Sequence, residues 1–302
     1  MMKKISAGLL VSLVTLSAFT QVVKENNTLL WKISGNGISK PSYLFGTIHM
    51  LCKDDAYLSK NLKAAISNAD RVYLELDMDN FVELLGMVTK MKMMNDTTLS
   101  DLVSPENYQK IKSYFESKSV MLPFSVIETY KPLIASSLLM ESGMVCEEQV
   151  AMETLIMEES KKNGKRIEGL ESMAYQMSIF DSIPYKLQAE ELLKSIDLGD
   201  SSTAGDQEFK ELMKAYRDQD LEKLGELITG SNGGMIQYQE ILLNNRNRNW
   251  VTKLKNLLSD KSLVIAVGAG HLPGEAGVIN LLRKEGYKVT PVDNTQTNIR
   301  EI

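Results

Sequence analysis

Only two histidines and two cysteines occur in the 302 residues. With two imidazoles at most, any metal or proton-transfer site in this chain has to lean on carboxylates as well. An excess of positive charge is also missing: the formal net charge is -5 and the pI is near 5.4. That balance disfavours a role built on nucleic-acid phosphates. There is no Walker loop, no G-x-S-x-G elbow and no H-E-x-x-H helix, and Gly268-Ala-Gly-His271 lacks the third glycine of a dinucleotide fingerprint. The one pronounced apolar run, from Ile5 to Phe19, is short for a membrane span and is interrupted by Ser and Thr. It follows Lys3 and Lys4 and ends in small residues, with Ala18 and Thr20 suited to the positions before a cleavage site. This is the pattern of a signal peptide over residues 1–20. The absence of cysteine near that point argues against a lipid anchor. An exported protein is expected, periplasmic or secreted, beginning near Gln21 and keeping no stable membrane span.

What is present points to a globular chain, since 43% hydrophobic residues over this length bury a substantial core. Both histidines stand three residues after a glycine, in Gly46-Thr-Ile-His49 and Gly268-Ala-Gly-His271. Each motif follows an apolar run of strand composition, Tyr43-Leu-Phe45 and Leu263-Val-Ile-Ala-Val267. Gly46, Gly268 and Gly270 remove Cβ where the strand turns, which lets the next side chains point into a shared crevice. A single histidine of this kind is more simply read as satisfying a hydrogen bond at a strand end. The matched pair favours a metal or proton-transfer site.

Taken in order, the chain reads as a strand over 28–33, a hairpin turn at Gly35-Asn-Gly37, a strand over 42–45, a helix over 58–68 and a strand over 71–76. Strand, helix, strand is the pattern of a parallel crossover. Alternation in the last of these strands puts Tyr73, Glu75 and Asp77 on one face. A carboxylate there is costly to bury unless it is paired or binds a metal, or else the strand is an edge with a solvated face. Helical periodicity follows over 80–92, 105–117, 126–139 and 147–163, then a short strand over 166–171 carrying Glu168 and Glu171, and helices over 174–193, 207–227 and 237–258. Polar loops are expected at 199–205 and 230–234. The last helix contains Asn244-Asn-Arg-Asn-Arg-Asn-Trp250, dense in long polar donors suited to holding a carboxylate or oxyanion, or to a solvated face. A strand from Leu263, a helix over 275–284 and a strand over 287–292 are expected to close the sheet as a second crossover unit. The fold class is therefore α/β (α+β), with a central mixed, largely parallel sheet from the N- and C-terminal segments. A helical insertion at about 78–165 interrupts a single domain over 21–302. Cys52 and Cys146 are disulfide candidates in an oxidising compartment, with two buried free thiols as the alternative.

Five segments together resemble the TraB/GumN family, which includes TIKI-type metalloproteases: Leu44-Phe-Gly-Thr-Ile-His49, Leu74-Glu-Leu-Asp77, Gly169-Leu-Glu-Ser172, Arg246-Asn247 with Trp250, and Gly268-Ala-Gly-His271-Leu-Pro-Gly-Glu275. The resemblance implies a fold related to the erythromycin-esterase and ChaN-like proteins. It also implies a divalent ion, manganese, cobalt or zinc, among His49, His271 and Glu75. By motif match, Glu75, Glu171, Arg246 and Asn247 take the catalytic positions. Arg248-Asn249 repeats the arginine motif, and only the spacing to Trp250 favours Arg246. The expected mechanism has two histidines and one carboxylate binding the ion, with a water activated on it. A second carboxylate, Glu75 or Glu171, acts as base, and Arg246 stabilises the tetrahedral intermediate. Two histidines alone favour manganese or cobalt over zinc. The expected function is an exported metal-dependent hydrolase acting on a peptide or protein. The alternative is a non-catalytic exported protein of the same fold that binds peptide, metal or haem.

Overall fold

A computed structural model describes residues 27–118, 120, 122–142, 146, 148–200, 204–230 and 236–296. The expected signal peptide lies outside the described residues, as do 201–203 and 231–235 in the two expected polar loops. Six strands form the main sheet: β1 (Leu30–Gly35), β2 (Ser42–Thr47), β4 (Arg71–Leu74), β6 (Arg166–Gly169), β7 (Leu263–Gly268) and β8 (Tyr287–Val292). Two short strands, β3 (Leu51–Cys52) and β5 (Gln149–Val150), pair separately. The order in the sheet is β6-β4-β7-β2-β1-β8.

The first four strands in that order are mutually parallel, with Leu74 opposite Gly169 and Thr47 opposite Gly268. The central strand β7, Leu-Val-Ile-Ala-Val-Gly, is buried along five of its six residues, as a parallel strand covered on both faces must be. The β1–β2 hairpin turns where Gly35, Asn36 and Gly37 all adopt positive φ, at 76°, 48° and 78°. Two glycines there remove most of the steric cost.

Two expectations for the sheet are corrected. β4 ends at Leu74, so Glu75 stands just past the strand instead of on one face of it, and the position of β4 between β6 and β7 removes the edge-strand alternative. β8 does not complete a second parallel crossover: it pairs antiparallel with β1 at the sheet edge, from Leu30 opposite Val292 to Gly35 opposite Tyr287. The hairpin reverses β1 relative to the parallel strands, and the returning chain meets that outer edge.

The helices differ from their periodicity at proline, in the shortest elements, and over 207–227, where Ala204–Arg217 and Leu221–Gly230 are separate helices with Gln219 at a φ of 56° between them. Phe124–Ile127 and Pro132–Ser142 are separate helices, as are Met173–Asp181 and Tyr185–Asp200, the latter pair divided at Pro184. Proline disfavours helical backbone in the residue before it. Pro105–Ser117 keeps its expected bounds, with Ser104 capping its N-terminus through Asn107 N. The buried residues form one cluster around the sheet and a second among helices, which joins Leu99, Ile111, Phe115 and Ile127 to Leu192 and Ile196. Cys52 and Cys146 are disulfide-bonded, which ties β3 to the segment entering β5. Among the described residues no helix is long and apolar enough to cross a membrane.

Candidate functional site

The carboxyl ends of β6, β4, β7 and β2 lie side by side, the edge of a parallel sheet at which ligands bind. Glu171, Glu75, His271 and His49 each follow one of these strands within three residues. The fifth contributor is the helix Asn245–Leu258, which buries Arg246, Asn247, Trp250, Val251, Leu254 and Leu258 on one face. That spacing turns Arg246 inward and leaves Arg248 exposed with Glu240. The ambiguity of the repeated Arg-Asn dipeptide is resolved by helical phase.

Arg246 is the centre of the cluster. Its Nε and Nη2 donate to Glu171 Oε1 at 3.0 and 2.7 Å, and Nη2 also donates to Glu75 Oε2 at 2.5 Å. Nη1 reaches the Leu242 carbonyl and His271 Nε2, both at 3.1 Å. Leu242 sits in the π-helical turn Glu240–Asn244 that precedes the helix. All five guanidinium N–H groups are thereby engaged within the protein, so no N–H is left for an oxyanion. The guanidinium also stacks 4.7 Å from the Trp250 ring centroid, while Trp250 Nε1 donates to Glu171 Oε2 at 2.9 Å.

His271 is buried, and Asn247 fixes its tautomer. Asn247 Nδ2 donates to the carbonyls of Ala276 and His271, so its Oδ1 faces His271 Nδ1 at 2.6 Å and accepts from it. The Nε2 lone pair then receives Arg246. Burial pushes the imidazole down to about 4, against the pull of Glu75, so it is neutral at pH 7. Burial works against ionisation of Glu75 too. His271, Arg246 and the Gly268 N–H, 2.8 Å from Oε1, outweigh it and hold the carboxyl well below its usual range. Burial lifts Glu171 in the opposite direction, despite Arg246 beside it. Two neighbouring carboxyls are thus pushed apart.

The glycines matter for close approach rather than for unusual backbone angles. A Cβ on Gly268 would stand 3.3 Å from Glu75 Oε1, and one on Gly270 2.6 Å from Ile228 Cδ1. Gly46 lies inside β2, not in a turn, where a side chain would press on Ala269 and Leu272 at 3.2 Å.

His49 has a different setting. Its side chain is 74% exposed, and Nδ1 lies 3.0 Å from Glu153 Oε1, which also accepts from Thr47 Oγ1 at 2.6 Å. The hydrogen bond to Glu153 raises the imidazole to about 9, so it carries a proton at neutral pH. Glu153 Oε2 is buried without a hydrogen-bond partner among the described residues. Sequence reasoning missed Glu153, as it missed Gln176, whose amide donates to Glu75 Oε2 at 3.3 Å. Thr47 lies within the first histidine motif and was visible there; nothing in the helical periodicity marks Glu153. Glu168 is not in the cluster and pairs instead with Tyr73 and Arg71.

Among the described residues no group of three or more His, Cys, Asp or Glu side chains stands ready to hold a metal ion. The donor chemistry agrees: the Nε2 of His271 and the oxygens of Glu75 and Glu171 that face Arg246 already accept N–H groups. A divalent ion does not fit between His271 and Glu75 as these side chains stand. A groove of about 790 Å³ adjoins the cluster along Gly225, Ile228, Asn244, Asn247, Gly270 and Pro273.

A family model described as TraB/PrgY/gumN family matches residues 29–291. The chain is 23% identical to the protein named Metalloprotease TIKI2 of Danio rerio, over 88% of this chain and 61% of that protein. It is 25% identical to the Metalloprotease TIKI homolog of Amphimedon queenslandica, over 90% of this chain and 62% of that protein. To Metalloprotease TIKI1 of Homo sapiens it is 23% identical, over 88% of this chain and 62% of that protein. The chain thus spans about three fifths of the length of these relatives. No solved structure matches it.

Proposed function

The chain belongs to the TraB/PrgY/gumN family, and on that footing we propose that it is an exported hydrolase acting on peptide bonds at the carboxyl edge of the parallel sheet. The observation that carries the reading is the paired environment of the two histidines. One is buried and neutral inside a carboxylate–guanidinium cluster, and the other is open to solvent and held charged by Glu153. Such opposed environments at one sheet edge are what proton-transfer chemistry requires. His49 is the group that meets substrate: it polarises the acyl oxygen and gives its proton to the leaving amine. Glu171, lifted by burial, takes the proton of the attacking water, while Glu75 and Arg246 supply fixed charge. The metal that the relatives' names imply receives no step here because the inner donors do not fit it. Export rests on the pattern of residues 1–20 and agrees with the Cys52–Cys146 disulfide.

The test is cleavage of a peptide library by the purified protein beside His49→Ala and Glu75→Gln. Loss of about 10²-fold or more in His49→Ala, with the circular dichroism spectrum unchanged, is the expected result. A wild-type protein that binds peptides without cleaving any would replace the hydrolase with a binding protein. Full activity in His49→Ala would remove His49 from the reaction.

A further inference from the structure

We propose that Arg246 is the resident cation of this site, standing where a divalent ion would otherwise sit, so that the inner cluster works without a metal ligated by His271, Glu75 or Glu171. This deepens the hydrolase reading and departs from the expected metal shell of His49, His271 and Glu75. Three observations converge on it. Every donor atom that a metal would use there is already engaged: His271 Nε2 and Glu75 Oε2 by Arg246, Glu75 Oε1 by the Gly268 N–H, and both Glu171 oxygens by Arg246 and Trp250. The guanidinium is also anchored from behind, by the Leu242 carbonyl and by stacking on Trp250, so it is built into the helix face rather than resting loosely in an open pocket. Finally, the two histidines are held by different partners. Asn247 presents the His271 lone pair to Arg246, while His49 turns Nδ1 to Glu153.

Two physical consequences follow. A guanidinium does not lose its proton in proteins, so no ordinary pH vacates the position. A divalent ion approaching Glu75 would face a like charge within bonding distance of the same carboxylate. For the metal to reach His271, Arg246 would have to leave both carboxylates and strip Glu171 of its buried partner.

Because the chain has only two histidines, the inference can be read spectroscopically, without turnover, and so fails or stands separately from the hydrolase. In full-length protein labelled with ¹⁵N-histidine, long-range ¹H–¹⁵N correlations resolve four ring nitrogens. Zn²⁺ is then added from substoichiometric amounts to several equivalents. The expected result is that His271 Nε2 and Nδ1 do not move, whether or not His49 responds. A shift of His271 Nε2 to the metal-bound imidazole position at one equivalent would overturn the proposal. In folded Arg246→Met, the same addition is expected to move His271 Nε2, because its lone pair has been released. A folded variant in which His271 still ignores Zn²⁺ would show that something other than the guanidinium keeps the ion out. Should the variant fail to fold, the wild-type titration alone decides.

Discussion

His49 and His271 stand at the same distance from a glycine, after adjacent parallel strands whose ends are in register, Thr47 opposite Gly268. Yet the side chain of the first is 74% exposed and that of the second 6%. The first is raised to about 9 and the second depressed to about 4. The motif therefore fixes where a histidine emerges and not what it does. Its charge is set by what the rest of the chain brings beside it: Glu153 from the helix Met152–Lys162 at the rim, and Arg246 and Asn247 from the helix Asn245–Leu258 inside.

The largest effect that would break this contrast lies at the inner histidine. Arg246→Met leaves Glu75 and Glu171 buried without their counter-charge, and a loss of about 3–5 kcal/mol is expected in urea unfolding. A loss under about 1 kcal/mol would mean that the carboxylates have another means of support.

Opening the Cys52–Cys146 bridge acts on the outer histidine. It joins residues 94 apart, three residues after His49 and seven before Glu153, and in the chain-entropy model its removal costs about 5 kcal/mol. Paired Cys→Ser substitution is expected to shift the ring signals of His49 more than those of His271. The reverse order would separate the staple from the rim.

The contrast also has a pH signature. Between pH 6.5 and about 4 the unfolded chain binds a proton that His271 refuses in the folded state, so stability falls as pH drops through that window. The change is on the order of 3 kcal/mol, and His271→Gln is expected to flatten the slope of unfolding free energy against pH. His49 runs the other way: its contribution is complete below 6.5 and is lost as pH rises through about 9. The smallest effect belongs here, because the His49 side of the pair stands open to solvent, which screens the interaction. Glu153→Gln is expected to change stability by less than about 1 kcal/mol while lowering the imidazole toward its ordinary value. An unmoved His49 would sink the assignment of Glu153.

Much of the inner site was legible because its residues carry local signals. Both histidines end apolar runs, Glu75 follows one, and the Arg-Asn repeat stands out against a helical pattern. The spacing to Trp250 already favoured Arg246 over Arg248, and the buried face that carries Trp250 and Leu254 agrees with it. Glu153 was illegible: it occupies one position of an ordinary amphipathic helix, and its role comes from a two-stranded ribbon too short to show periodicity. The hairpin and the strand-helix-strand unit were read from turn residues and period. The antiparallel edge pairing of β8 was not, since periodicity within a strand says nothing about its neighbour's direction. The breaks at Pro132 and Pro184 did carry a signal, and helical spacing on either side obscured it.

The measurement that tests the contrast most directly is an NMR titration of the two imidazoles in the wild-type protein from pH 3.5 to 10. One resonance titrating near 4 and the other near 9, assigned by His49→Ala, is the predicted result. Two histidines titrating together near 6.5 would contradict it, and would mean that neither the Arg246 cluster nor Glu153 governs the charge of its neighbour.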